Sequence, residues 1–391
     1  MKKVLLTSAT LMAFAAASFA QNNNATSTQK GNGNKIVSLS QMGSKNEASI
    51  QQIGNDNTST FSQKGAMNQA SLGMTQGNNN VVNITQKGNG VTNGNQNNGS
   101  FEVWGNKNTA NLTQSGNENF SYFNMRGTGQ FFTGGGNNND NTVTITQTGN
   151  KNTQSGGLQG SNNRFELTQT GNNNSAGTGY SATGMYAIGD RNQAYFTQTG
   201  NDNSLTSHVV GNDNSVRNDQ TGSNNKAYFT QTGNGNVIDD FGISGGFYVQ
   251  TGDRNTKTID QTGNYNKAGL QQIGNDNVQT ASQKGTNNQA LWGQFGSNNT
   301  GTVTQTGDGN FYRSAQVGNK NSLTVSQTGN DNTVDRGTSV PVPGLSGPYS
   351  VGQVGDMNVL NATQTSNGNT YTFQQIGNSN IANVTQGAAM P

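Results

Sequence analysis

The chain has no cysteine, four prolines, one histidine, and charged residues at only 10% of its 391 positions. Each shortage excludes something. Without cysteine there are no disulfides to staple an exported fold and no thiolate zinc site. A lone His208 cannot form a histidine cluster, and its outward position marks it as a solvated surface residue. The conspicuous acidic pair Asp239 and Asp240 has no base near it. Hydrophobic residues make up 28% of the chain, too few for the aliphatic cores its length would suggest, so no enzyme is expected. Scarce charge also removes the self-repulsion that keeps polar chains disordered. Lysines and arginines lie scattered among acids, which excludes a nucleic-acid footprint. No cofactor, metal or small-molecule substrate is expected.

At the N-terminus, Lys2 and Lys3 precede an apolar run from Val4 to Ala17 and the small residues Ser18 and Ala20. This reads as a secretory signal over residues 1–20. The run falls short of the roughly 20 residues a spanning helix needs. Without Lys2 and Lys3 the 21 basic residues fall to 19, equal to the 19 acidic ones. A mature chain of zero net charge lacks the repulsion that keeps copies apart.

What the chain has is glycine, 55 residues of it, and a phased motif. From Tyr248 to Val334 the pattern Gln-x-Gly-x-x-Asn recurs eight times at a spacing of 11 residues. The copies are Gln250, Gly252, Asn255; Gln261, Gly263, Asn266; Gln272, Gly274, Asn277; Gln283, Gly285, Asn288; Gln294, Gly296, Asn299; Gln305, Gly307, Asn310; Gln316, Gly318, Asn321; and Gln327, Gly329, Asn332. Composition alone needs no phase, so fixed phase places every unit equivalently in a stack.

With glycine as position zero, positions 3, 5, 7 and 9 share one side of a strand. Position 7 reads Ile259, Leu270, Ala281, Trp292, Val303, Ser314 and Val325, so this side is the buried one. Position 5 includes Ala268, Ala290, Tyr312, Leu323 and Val334, which suits a thin interior of small and medium side chains. By the same parity Trp292 points inward and Trp104 outward. Alternation ending in a Gly-Asn turn gives one strand and one corner per unit. Two units make a rung of 22 residues, stacked in parallel at about 4.8 Å. Buried amides would cost several kcal/mol each if unpaired, and stacking pairs them in axial ladders. The fold expected is all-β, a parallel β-solenoid of two-strand rungs.

Further copies such as Gln41-Met42-Gly43 with Asn46, Gln198-Thr199-Gly200 with Asn203 and Gln353-Val354-Gly355 with Asn358 extend the pattern. In all, about 30 units give roughly 15 rungs and a rod of about 70 Å. The solenoid thus spans 21–391, with longer arcs near 89–104, 172–188, 234–251 and 330–354 and an irregular region near 120–139. Pro341, Pro343 and Pro348 suit a protruding loop in the last arc.

The secretory signal and the paired Gln-x-Gly-x-x-Asn units resemble those of the curlin family, the secreted subunits of bacterial curli fibres. A unit such as Gln41-Met42-Gly43-Ser44-Lys45-Asn46-Glu47-Ala48-Ser49-Ile50-Gln51-Gln52 is similar to the family repeat. The resemblance implies a left-handed solenoid, export through the periplasm and an outer-membrane secretion channel with accessory proteins, and polymerisation with a nucleator into a cell-surface amyloid matrix that serves adhesion. The regularity from Gly252 to Gly329 favours the main subunit over the nucleator.

Both ends keep repeat character, at Gln29 and Gly31 and at Gln375, Gly377 and Gln386, so their edges are expected to template another copy. Asp56, Asp202, Asp213, Asp276 and Asp331 at turn position two read as solvated turn residues, with gatekeeping of assembly as the alternative. The rival function is an ice-binding or adhesive solenoid that does not polymerise, suggested by outward pairs such as Thr146 and Thr148. Neighbouring units substitute Asp260, Gln271, Ser282 and Lys284, and Phe295 breaks such a row.

Overall fold

A computed structural model describes residues 22–89, 97–125, 138–177, 184–239, 249–336 and 352–387. Every regular element among them is a β-strand, and every strand pairing is parallel. Successive repeat units enter two different sheets. One sheet runs from Asn24–Lys30 through Glu47–Ile53 to Ile381–Gln386, the other from Lys35–Met42 through Thr58–Ala66 to Gln375–Ile376. We call them the first and second sheets. Two units therefore separate axial neighbours, and the bond from Gln261 to Gln283 spans 22 residues. This is a parallel β-solenoid.

Alternation of side chains builds the interior. In the first sheet Ile259, Ala281, Val303 and Val325 stack in register and are buried. In the second sheet Leu270, Trp292 and Ser314 do the same, and Trp292 meets Tyr312 edge-on with ring centroids 5.6 Å apart. Trp104 is half-exposed on the outer face of the first sheet.

The long arcs interrupt strands without ending the stack. Ser175–Ala176 and Met185–Ile188 lie on one rung beside Thr153–Gln159. Val237–Ile238 with Val249–Thr251, and Thr333–Arg336 with Gln353–Val354, likewise share rungs of the second sheet. Within the region expected to be irregular, Phe120–Met125 is an ordinary strand, because Ser121, Phe123 and Met125 fill the inward positions. Residues 126–137, like Pro341, Pro343, Pro348 and Asp240, lie outside the described residues.

One interior position departs from the small and medium side chains expected at position 5. Lys257 is fully buried, with its Nζ 3.2 Å from Asn218 Oδ1 across the core. Asn218 sits where the second sheet is interrupted, since Val216 pairs with Ile238 and Asp219 with Val249. Nearby charges on Arg217, Asp219, Lys226, Asp260 and Lys267 occupy outward positions of their strands. Burial lowers the Lys257 pKa from 10.5 to about 7, opposed by the charge of Asp219. The unfolded chain therefore holds this proton up to 10.5 and the folded chain only up to about 7, so raising pH through that window favours folding. Wild-type stability should gain up to about 5 kcal/mol relative to Lys257→Met between those limits. Thermal unfolding of both proteins across the window measures it; a constant difference would contradict it.

Candidate functional site: axial amide ladders and exposed end rungs

The glutamines at position 9 are the most regular buried groups. In the second sheet each amide donates from Nε2 to Oε1 of the next rung, without a break, from Gln41 through Gln147 and Gln250 to Gln375, at 2.8–3.3 Å. The amide also donates across the core to a strand carbonyl of the opposite sheet, as Gln305 does to Gln289 O at 2.9 Å. In the first sheet Gln29 donates to Gln52, then Val103, Met125, Leu158, Ala187 and Val209 occupy the position. Its ladder resumes at Gln231 and runs to Gln386.

Asparagines at position 3 form columns of opposite sense. Asn277 donates its backbone N–H and Nδ2 back to Asn255 Oδ1, at 3.0 and 3.1 Å, and Nδ2 forward to Gly296 O at 2.8 Å. One side chain thereby ties three rungs. Glycine at position zero is required by the stacking itself. Gly274 has φ +118°, and a Cβ there would lie 2.0 Å from the carbonyl oxygen of Gly296 in the next rung.

The eight phased units divide between two ladders. Gln250, Gln272, Gln294 and Gln316 belong to the second sheet, and Gln261, Gln283, Gln305 and Gln327 to the first. Their asparagines Asn255, Asn277, Asn299 and Asn321 share one corner column; Asn266, Asn288, Asn310 and Asn332 share the other. The glycines Gly252, Gly274, Gly296 and Gly318 stack at the first corner, and Gly263, Gly285, Gly307 and Gly329 at the second.

At the N-terminal end Gln29 and Gly31 lie on the outermost described rung with Gln41, Asn23 and Asn34. At the C-terminal end Gln375 and Gln386 are the last amides of their ladders. A Cβ on Gly377 would meet only Asn380 Nδ2, at 3.6 Å, because no described rung follows it.

Other residues are placed differently from a plain surface reading. His208 is on the outer face but half-buried, stacked on Tyr186 with ring centroids 4.3 Å apart and its Nε2 3.0 Å from Gly184 O. Burial lowers its pKa. Asp56, Asp202, Asp213, Asp276 and Asp331 all take left-handed φ at the turns. Two of them are ion-paired one rung away, Asp213 with Arg191 at 2.6 Å and Asp276 with Arg254 at 2.7 Å, and in each pair the arginine depresses the carboxylate pKa. The objection to threonine rows holds in the first sheet, where Asp260 and Ser282 separate Thr230 from Thr304 and Lys284 separates Thr262 from Thr306. Asp260, Ser282 and Lys284 are in the first sheet, Gln271 and Phe295 in the second. In the second sheet Thr146 and Thr148 stack on Thr168 and Thr170, and these on Thr197 and Thr199.

A Gly274→Ala substitution should therefore cost about 3 kcal/mol or more, by blocking a rung from both strain and collision. Gly377→Ala should cost only about 1–2 kcal/mol, from backbone strain alone. Thermal unfolding of the monomeric variants measures the contrast, and equal losses would contradict the stacking role of the interior glycine.

The curlin associated repeat is found at residues 37–65, 139–171, 211–239, 252–278, 280–307 and 296–329. No curated protein matches the chain. Six such repeats, set along a stack of glutamine and asparagine ladders, make this chain a member of the curlin family.

Proposed function

We propose that the chain is the main structural subunit of extracellular, curli-type amyloid fibres, assembled end to end after export through an outer-membrane channel and started by a nucleator. The fibre would form the adhesive, aggregating matrix of a biofilm. The observation that carries this reading is the uniform sense of the glutamine ladders. Every bonded Gln–Gln amide pair donates toward the C-terminal end. The last amides, Gln375 and Gln386, thus offer donors, and the first, Gln41 and Gln29, offer acceptors. Continuing the first sheet's register sets Gln386 of one copy on Gln29 of the next, and because the second sheet has one strand level fewer, one level stays open between Gln375 and Gln41. Joining like ends would oppose donor to donor or acceptor to acceptor, so growth has one polarity.

Gln386→Leu, which removes the last donor of the first-sheet ladder, should remain a folded rod by circular dichroism and fail to add to the N-terminal ends of wild-type seeds, as followed by electron microscopy. Normal elongation by this variant would contradict the junction. The stacked Thr146, Thr148, Thr168, Thr170, Thr197 and Thr199 favour a second reading, a flat ice-binding or adhesive face on a rod that stays monomeric. Monodisperse rods of wild-type protein, with no fibres after days at neutral pH, would move that reading to the front.

A further inference from the structure

Charges that neighbour one another along the axis are of opposite sign in most of the structure. Lys151 pairs with Glu118, Arg191 with Asp213, Arg254 with Asp276 and Arg313 with Asp335, each one rung apart. Lys64 and Lys87 break this rule. They are direct register partners in the second sheet, both exposed, and among the described ion pairs neither has an acidic partner. The outward positions of the strands around them carry Ser38, Ser40, Thr58, Thr60, Ser62, Asn83 and Thr85 rather than acids. Like charges on register partners of strands about 4.8 Å apart repel each other, and an anion between them relieves that repulsion.

The same two lysines line an open surface depression of about 580 Å³ with Met42, Gly43, Gly65, Gly88 and Asn89. Met42 is the register partner of Lys64 on the preceding rung and is 53% exposed, so an apolar wall stands directly beside the paired cations. Glycines on three successive rungs leave the floor free of side chains. We propose that Lys64, Lys87 and Met42 form a binding site for a phosphate monoester carried on an apolar or ring-shaped group. A phosphate monoester brings close to two negative charges and three acceptor oxygens, which two stacked ammonium groups can share. The carrier group packs on Met42. The site depends on the first few rungs and not on fibre formation.

Phenyl phosphate titrated into the folded mature chain, at low protein concentration and low salt and followed by phosphorus NMR or calorimetry, tests this. Wild type should bind it at one site, more tightly than inorganic phosphate because only the former has a ring for Met42. Lys64→Gln and Lys87→Gln should each weaken binding at least tenfold, whereas Lys284→Gln, an exposed lysine of the other sheet, should not change it. Met42→Ser should remove the preference for phenyl phosphate over inorganic phosphate. Relief of repulsion should also leave Lys87→Gln at least as stable as wild type at low salt, so lost binding cannot be ascribed to misfolding. Absence of saturable binding by wild type, or equal weakening by Lys284→Gln, would overturn the proposal.

Discussion

Everything in this molecule depends on one requirement, that buried amides be hydrogen-bonded. A glutamine buried alone would cost several kcal/mol. In a parallel stack with a fixed 22-residue register, the partner of each amide is the same residue one rung away. The ladder satisfies the amide and at the same time specifies the register, because slipping by one residue would put every glutamine on the solvent face. Glycine follows from the same geometry: axial repetition brings backbone close to backbone at the corner, where a Cβ on Gly274 would collide with Gly296. Asparagine at position 3 completes the corner by tying three rungs together.

The architecture tolerates interruption wherever the ladders continue past it. The rung of Val237–Ile238 and Val249–Thr251 is broken, yet Gln220 still donates to Gln250 at 3.0 Å. Gln316 donates to Gln353 at 2.8 Å across the break at Thr333–Arg336. The first sheet shows the complementary case. From Val103 to Val209 apolar side chains replace the glutamines, so side-chain packing takes the place of the amide ladder in that column while the backbone pairing continues. Some polar exceptions lie at the breaks: Asn218 and Lys257 face each other beside one, and Ser314 lies beside another.

Much of this was legible in the chain. Phase gave the strand, the corner and the two-unit rung, and parity gave the buried face, because these depend only on spacing. The split of the eight-unit run into two ladders follows from the rung, and Asp260, Ser282 and Lys284 do break the first sheet's threonine row. Thr146 above Thr168 became visible only with axial register. Lys257 was hidden because parity assigns a position without testing whether a charge fits there. His208 was read as solvated, and its stacking on Tyr186 depends on a residue that an arc returns to the rung. Gln41 escaped notice as an end residue because the sequence does not say which two strands share the first rung. The common donor sense of the ladders, from which the polarity argument starts, has no sequence signal at all.

The most direct measurement is high-resolution electron cryomicroscopy of fibres grown from the mature chain in neutral buffer. The account predicts a single protofilament in which the first sheet continues through each subunit junction at the spacing found within a subunit, with Gln386 stacked on Gln29 and all subunits pointing one way. Subunits meeting through their outer sheet faces, or alternating in direction along the axis, would contradict it.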